Sequence, residues 1–285
     1  MSGGWSFTGL AGPAGTRFGT VRRFAELDST NRYLLDLARA GAPEGAVAVA
    51  DYQSAGRGRL GRRWEAPPGS NLLASVLLRP VLAVEELHLC TVAVALAAAD
   101  ACGRGAGVTP ELKWPNDLMV GGRKLGGILA EAIPAEAIPA EASPAGSPLG
   151  PAVVVGLGLN VRWPPPDTAP ERSPGEGPDE VAAAATSLWR ETGVEHDPLA
   201  VLGLVLTGLE GRLVDLGDRE GRRRLAGEYR RRCGTVGKTV RVSLAGEAFT
   251  GTATDITLEG HLVVDVGACF RTVAAGDVVH LRDPG

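Results

Sequence analysis

The chain reads as an α/β (α+β) protein with a small all-β unit at its C-terminal end. Three observations predict this. Short apolar runs bounded by Gly, Pro and Asn recur between positions 20 and 161, the pattern of buried strands. Longer alanine- and leucine-rich segments with helix-capping residues alternate with them. In 234–285 the character changes to short β-type runs separated by Ala245-Gly246, Glu259-Gly260 and Gly267, which reads as a small β-barrel with its own core.

Taken in order, residues 1–20 are rich in Gly, Thr and Ala and read as a loose lead-in. A strand is expected over 20–27, running into Asp28-Ser-Thr-Asn31, a cluster of helix-capping types. Leu34, Leu35, Leu37 and Ala38 have helical spacing, and Gly41 closes that helix. A buried strand follows over 46–50, then another over 71–79, stopped by Pro80. A buried alanine-rich helix is expected over 84–102, ended by Gly103. In Leu112-Lys-Trp-Pro-Asn-Asp117, Pro115 breaks any regular element and holds Trp114 extended. A hairpin over 119–131 turns at Gly121-Gly122. Residues 133–150 repeat Ile-Pro-Ala-Glu-Ala and read as an extended or disordered loop; 163–180 is a second Pro-rich loop. Between them a strand is expected over 152–161. Asp197-Pro198 is an N-cap and N1 pair for a helix over 199–216, and 220–232 is a basic helix whose charges form a solvated face.

The chain of 285 residues is 44% apolar, enough for a substantial core, with a net charge of −4. An acidic chain argues against general nucleic-acid binding. The four cysteines, Cys90, Cys102, Cys233 and Cys269, form no Cys-x-x-Cys pair, so they read as reduced core thiols and not as a metal site. No signal-peptide pattern opens the sequence, and the apolar run over 89–99 is too short to span a bilayer. A cytoplasmic protein with no membrane attachment is expected.

Against that acidic background the stretch Asp51 to Trp64 stands out. Gly56, Gly58 and Gly61 alternate with Arg57, Arg59 and Arg62. Glycine lets a backbone approach a ligand closely, and arginine presents a planar fork of donors to carboxylate or phosphate oxygens. The alternation reads as a mobile cationic flap hung from a rigid strand, suited to a small anion. Lys124 follows a tight turn and precedes Gly126 and Gly127, in-strand glycines that make room for a ligand. The helix start at Ser29 and Thr30 offers hydroxyls and free N–H groups.

The set Asp28-Ser-Thr-Asn31, Gln53-x-x-Gly-Arg-Gly-Arg-x-Gly-Arg62, Lys113-Trp-Pro-Asn-Asp117, Arg123-Lys-Leu-x-Gly-Ile128 and Gly156-x-Gly-x-Asn160 resembles biotin–protein ligases, in the family's order. The resemblance implies a mixed-sheet catalytic domain over 20–233, akin to class II aminoacyl-tRNA synthetases and lipoate ligases. It implies an SH3-like β-barrel over 234–285. It also implies the activity: biotin and ATP, with Mg²⁺, give biotinyl-5′-AMP, and the biotinyl group then passes to a lysine of a biotin carboxyl carrier domain of an acyl-CoA carboxylase. Carried over by position, Ser29, Thr30, Asn31 and Gln53 would hold the polar end of biotin. Arg57, Gly58 and Arg59 would cover the acyl-phosphate, and Lys124, beside Gly127, would bind the carboxylate and α-phosphate oxygens. Lys124 and Arg59 are the expected catalytic cations. Arg62, Trp64, Lys113, Asn116, Asp117 and Asn160 would line the nucleotide side. No residue is assigned as a metal ligand.

Ionic catalysis of this kind needs no nucleophilic side chain, and no Ser or Cys nucleophile motif is present. Some relatives carry an N-terminal winged helix-turn-helix. Here the motifs begin at Asp28, so DNA binding is not expected. A monomer or weak homodimer is expected. Two other readings remain open: a lipoate–protein ligase, against which Gln53 and the Arg-Gly loop speak, and a non-catalytic biotin-binding regulator, against which the retention of Lys124 and Arg59 speaks.

Overall fold

The structure is a computed structural model that describes residues 6–139, 150–166, 184–244 and 246–281. A mixed eight-stranded sheet forms the larger part. Its strands are β1 (Thr8–Ala11), β2 (Thr20–Leu27), β3 (Val47–Gln53), β4 (Leu72–Leu78), β5 (Glu111–Lys113), β6 (Asp117–Val120), β7 (Arg123–Ile133) and β8 (Ala152–Leu159), in the order β1-β2-β3-β4-β8-β7-β6-β5. Only β2 and β3 run parallel, joined by the crossover helix α1 (Thr30–Arg39).

Side chains alternate across the sheet, as the period of two requires. Val47 and Val49 face one side, with Leu72, Ala74 and Val76. That side is covered by α2 (His88–Ala106), α4 (Pro198–Leu216) and α5 (Arg219–Arg232). Ala48 and Ala50 face the other side, where α1 lays down Leu34, Leu35 and Ala38. Helix α2 is long and apolar enough to cross a membrane by length and composition, but it lies between the sheet and α4 with its alanines buried. It runs past Gly103 to a left-handed cap at Gly107, and 84–86 ahead of it form a separate 3₁₀ turn. A short helix α3 (Leu188–Thr192), capped by Ser187, has no counterpart in the sequence reading.

A five-stranded antiparallel sheet follows, in the order β12-β11-β10-β9-β13: β9 (Thr239–Leu244), β10 (Glu247–Ile256), β11 (Leu262–Asp265), β12 (Phe270–Val273) and β13 (Asp277–His280). Its buried residues, Val240, Val242, Leu262 and Val264 among them, are continuous with the core on the α2 side of the large sheet.

Several local expectations change on packing. Part of the lead-in is β1, paired antiparallel with β2. The start of the Pro-Ala insert is ordered core: Ile133 ends β7, and Ile138 packs with it beside α1. The rest of that insert and of the second Pro-rich loop, 140–149 and 167–180, lies outside the described residues. The basic helix α5 does present a solvated face, with Arg219, Arg223, Arg224, Arg230 and Arg231 exposed, but Arg222 and Arg232 are partly buried and several of its arginines are paired. Arg222 binds Glu86, Arg224 binds Asp215, Arg232 binds Asp100 and Glu228, and Arg230 pairs with Asp255 of β10. Cys90, Cys102 and Cys233 are buried and Cys269 is exposed. Burial pushes the Cys90 and Cys102 thiols up to about 12, so neither is a nucleophile at neutral pH.

Candidate active site

A cavity of about 810 Å³ opens at one end of the large sheet. The start of α1, the loop after β3, the β5–β6 turn, β7, β8 and β13 all contribute to it. Among the lining residues six are cationic, Arg57, Arg59, Arg62, Arg63, Lys113 and Lys124, against the two carboxylates Asp117 and Asp277. A positive excess in an acidic protein suits a polyanionic ligand.

One end is neutral and polar. Ser29 caps α1, its hydroxyl accepting from Arg32 N. Gln53 Oε1 accepts Thr30 N–H at 2.7 Å and lies 3.0 Å from the Thr30 hydroxyl. Beneath it, buried Ser75 lies 2.7 Å from Thr30 Oγ1 and donates to Asn31 Oδ1 at 2.7 Å. Asn31 Nδ2 donates to the Leu129 carbonyl oxygen and to Glu131. Its amide is therefore committed to protein partners, and Asn31 braces this end of the cavity.

The middle is a glycine trough. Asp117, Gly127 and Gly158 are register neighbours across β6, β7 and β8. A Cβ on Gly158 would stand 2.5 Å from Trp64 Cε2, and one on Gly127 would stand 3.1 Å from Lys124 Nζ. Only bare backbone lets the indole and the lysine chain lie there. Lys124 Nζ reaches Asp117 Oδ1 at 2.6 Å and lies 5.5 Å from the Trp64 ring centroid. The Lys124 carbonyl oxygen is held from below by Thr186 N at 2.9 Å and Asn160 Nδ2 at 3.3 Å.

The loop after β3 is folded on itself. Gly58 N donates to Arg62 O, Trp64 N donates to Gly56 O, and Arg57 bridges to Arg63. Leu60 at its tip is exposed and has φ 57°, the left-handed region that costs a non-glycine residue energy. Three of its arginines reach three different elements: Arg57 to Glu131 of β7, Arg59 NH1 to Asn116 Oδ1 at 3.4 Å, and Arg62 NH2 to Asp277 Oδ2 at 2.6 Å. Half-burial lowers the Arg59 pKa and nearby Asp117 opposes that. A guanidinium starts so high that it stays charged.

The far wall is a joint with the C-terminal sheet. Trp114 is 2% exposed. Its N–H donates to Thr235 Oγ1 at 3.0 Å and its indole Nε1–H to the Gly260 carbonyl oxygen at 2.8 Å. Tyr229 OH donates to the Pro115 carbonyl oxygen at 3.1 Å, and burial raises its pKa well above the ordinary value. Asn116 exchanges two bonds with Ile128, one from each residue.

Of the residues singled out from sequence, Ser29, Thr30, Asn31, Gln53, Arg57, Gly58, Arg59, Arg62, Trp64, Lys113, Asn116, Asp117, Lys124 and Gly127 line this one cavity. Asn160 does not. It is buried, its Oδ1 accepting from Asn71 and its Nδ2 turned to the Lys124 and Thr186 carbonyls. It therefore acts on the site through the Lys124 backbone. Sequence reading missed Asp277, Val278 and Val279, which have no local signal. It also gave no role to Gly156 and Gly158, although their spacing inside a strand was a signal.

Residues 24–142 match the Biotin/lipoate A/B protein ligase family and 235–281 match the Biotin protein ligase C terminal domain. A biotin--[acetyl-CoA-carboxylase] ligase of Mycobacterium tuberculosis is 36% identical over 275 residues, 94% of this chain and 92% of that protein. A bifunctional ligase/repressor of Bacillus subtilis is 30% identical, over 88% of this chain and 71% of its own length. Among solved structures, a biotin protein ligase from Aquifex aeolicus in complex with biotin and ATP superposes with a TM-score of 0.70 at 25% identity, covering 92% of this chain and 99% of that one.

Proposed function

The chain belongs to the biotin protein ligase family, and from that premise we propose how its cavity works as an ATP-dependent biotin--[acetyl-CoA-carboxylase] ligase. The observation that carries the reading is the meeting of a neutral hydroxyl-and-amide end, Ser29, Thr30 and Gln53, with a cationic centre at Lys124 and Arg59 in one cavity. That polarity matches a molecule with a polar neutral ring at one end and a carboxylate at the other. It fits biotin better than lipoate, whose ring has no N–H or C=O to engage.

Two steps follow. A biotin carboxylate oxygen attacks the α-phosphorus of ATP, the bond to the bridging β-phosphate oxygen breaks, and pyrophosphate leaves. The attack joins two anions, and Lys124 with Arg59 offsets the charge that gathers at the α-phosphate oxygens. Trp64 supplies an aromatic face bordering the adenine, and Lys113, Asn116 and Arg62 line the phosphate and base side. The neutral amine of a lysine on a biotin carboxyl carrier domain then attacks the acyl carbon, the bond to AMP breaks, and the amine proton passes to solvent. The mixed anhydride hydrolyses in water, so the flap over it both stabilises charge and excludes solvent.

Magnesium fits as a companion of the nucleotide. Asp117 and Asp277 are the carboxylates that line the cavity and would face it, each now in an ion pair. When bound, the ion neutralises triphosphate charge. The proposed setting is the cytoplasm, where ATP is held, and the proposed state is a monomer or weak homodimer. The test incubates the protein with ATP, Mg²⁺ and a carrier domain, with biotin or lipoate. Pyrophosphate release and carrier labelling with biotin alone support the reading, and labelling with lipoate in its place overturns it.

A further inference from the structure

A second cleft, about 440 Å³, separates the outer side of the flap from β7 and is lined by residues 55–63, Leu129 and Glu131. One ion pair joins its two sides. Arg57 NH2 lies 3.0 Å from Glu131 Oε1 and 2.9 Å from Oε2. The same Oε2 accepts Asn31 Nδ2–H at 2.8 Å. Glu131 is outside the cavity and has no role in the reaction described above, yet its carboxylate joins the flap to the first turn of α1.

The other contacts of Asn31 fix the direction of this link. Its Oδ1 accepts from buried Ser75, so its Nδ2 must face β7. The side chain lies against bare backbone, since a Cβ on Gly156 would stand 2.3 Å from Asn31 Oδ1. Neighbouring Thr30 lies in the same hydroxyl cluster through Ser75. Asn31 thus fixes one side of the Glu131 carboxylate, and Arg57 of the flap meets the other. A carboxylate has acceptor capacity for the guanidinium and the amide together. An amide at 131 keeps one oxygen but loses the charge and the second acceptor that hold the guanidinium, and turns an NH2 towards Arg57 or Asn31.

We propose that Glu131 is a positioning residue that seats the flap through Arg57 and ties that seat, through Asn31, to the biotin end of the cavity. The proposal rests on the ligase reading for its consequence, retention of the adenylate, but not for the contact itself. Flap seating then depends on the Arg57–Glu131 pair, while Arg59 reaches Asn116 on another wall of the cavity.

The test is a double-mutant cycle of Glu131→Gln and Arg57→Gln in the full-length protein, with two readouts. The first is the tryptic rate after Arg59 without substrates, which does not depend on ligase chemistry. Each single substitution is expected to raise it about tenfold and the double no further, the behaviour of a coupled pair. The second is the half-life of enzyme-bound biotinyl-adenylate, expected to fall about tenfold in Glu131→Gln while its biotin affinity changes by less than about threefold. The exchanged pair Arg57→Glu with Glu131→Arg should restore flap protection. Multiplicative effects in the cycle, or an unchanged tryptic rate in both singles, overturn the proposal. A parallel fall in melting temperature and biotin affinity in Glu131→Gln assigns the residue to stability alone and also overturns it. Altered proteolysis in a protein that makes no adenylate would instead keep the seat and reject the ligase reading.

Discussion

Lys124 Nζ stands 2.6 Å from Asp117 Oδ1, with its chain laid along Gly127 beside the Trp64 ring. On the proposed mechanism this cation is held near where charge would build up at the α-phosphate. Lys124→Ala is expected to lower the adenylation rate by about 10²–10³, as for removal of one preorganised stabiliser. Pyrophosphate release in single-turnover conditions measures it. A near-normal rate would remove Lys124 from the chemistry.

Arg59 reaches inward to Asn116, whereas Arg57 and Arg62 are tied to Glu131 and Asp277. Arg59→Gly should therefore leave the loop seated but weaken its hold on the acyl-phosphate. The adenylate should escape, and biotin should appear on unrelated lysines in solution. Mass spectrometry of a bystander protein is the readout. Unchanged adenylate lifetime counts against a sequestering loop. In the parent protein, tryptic cleavage after Arg57 and Arg59 should slow when biotin and ATP are added.

The trough makes a separate claim. Gly158→Ala puts a methyl group 2.5 Å from Trp64 Cε2, a distance no real contact tolerates, so the indole must move. The ATP KM should rise by about fivefold, since one aromatic contact is worth roughly 1 kcal/mol. Biotin affinity should change far less, because Ser29, Thr30 and Gln53 are untouched. Equal losses for both substrates would show that the indole serves the whole cavity.

The joint with the C-terminal sheet should be sensitive to acid. His88 packs against Gly260, and His280 Nε2 lies 3.0 Å from the Thr235 hydroxyl that accepts Trp114 N–H. Burial lowers both imidazole pKa values, and nearby Lys113 lowers that of His280 further. The unfolded chain therefore binds protons first, at about pH 6.5. Their contribution to stability is complete above that pH and is lost as pH falls through it towards the lower folded values. The melting temperature should drop between about pH 7 and 5.5, and His280→Gln should flatten that drop. An identical pH profile in the variant would place the acid-sensitive groups elsewhere.

The same joint bears on the C-terminal unit. Sequence reading expects 234–285 to fold with its own core, but the buried valines of β9 and β11 are continuous with the core around α2. Trp114→Phe keeps the burial and deletes the indole donor to Gly260. It should cost about 1 kcal/mol of stability and raise the ATP KM, as measured by denaturant titration and steady-state kinetics. Stability lost with the KM unmoved would make the joint purely structural.

What the sequence determined by itself was local. The Asp28-Ser-Thr-Asn31 cap, the left-handed pair at Gly121-Gly122 and the Asp197-Pro198 helix start each depend on residues a few positions apart. The alternation of glycine with arginine likewise marked a cationic loop, which lines the cavity, because backbone freedom and charge are properties of the residues themselves. What only the tertiary structure decided was partnership and direction. Arg62 meets Asp277 across 215 positions of sequence, and Trp114 meets Gly260 across 146. No spacing rule reaches that far. Asn160 belongs to a legible motif, yet its amide turns inward to Asn71, Lys124 and Thr186. A buried polar group must satisfy its hydrogen bonds, and which partners are within reach is settled only when β8 packs beside β4 and β7.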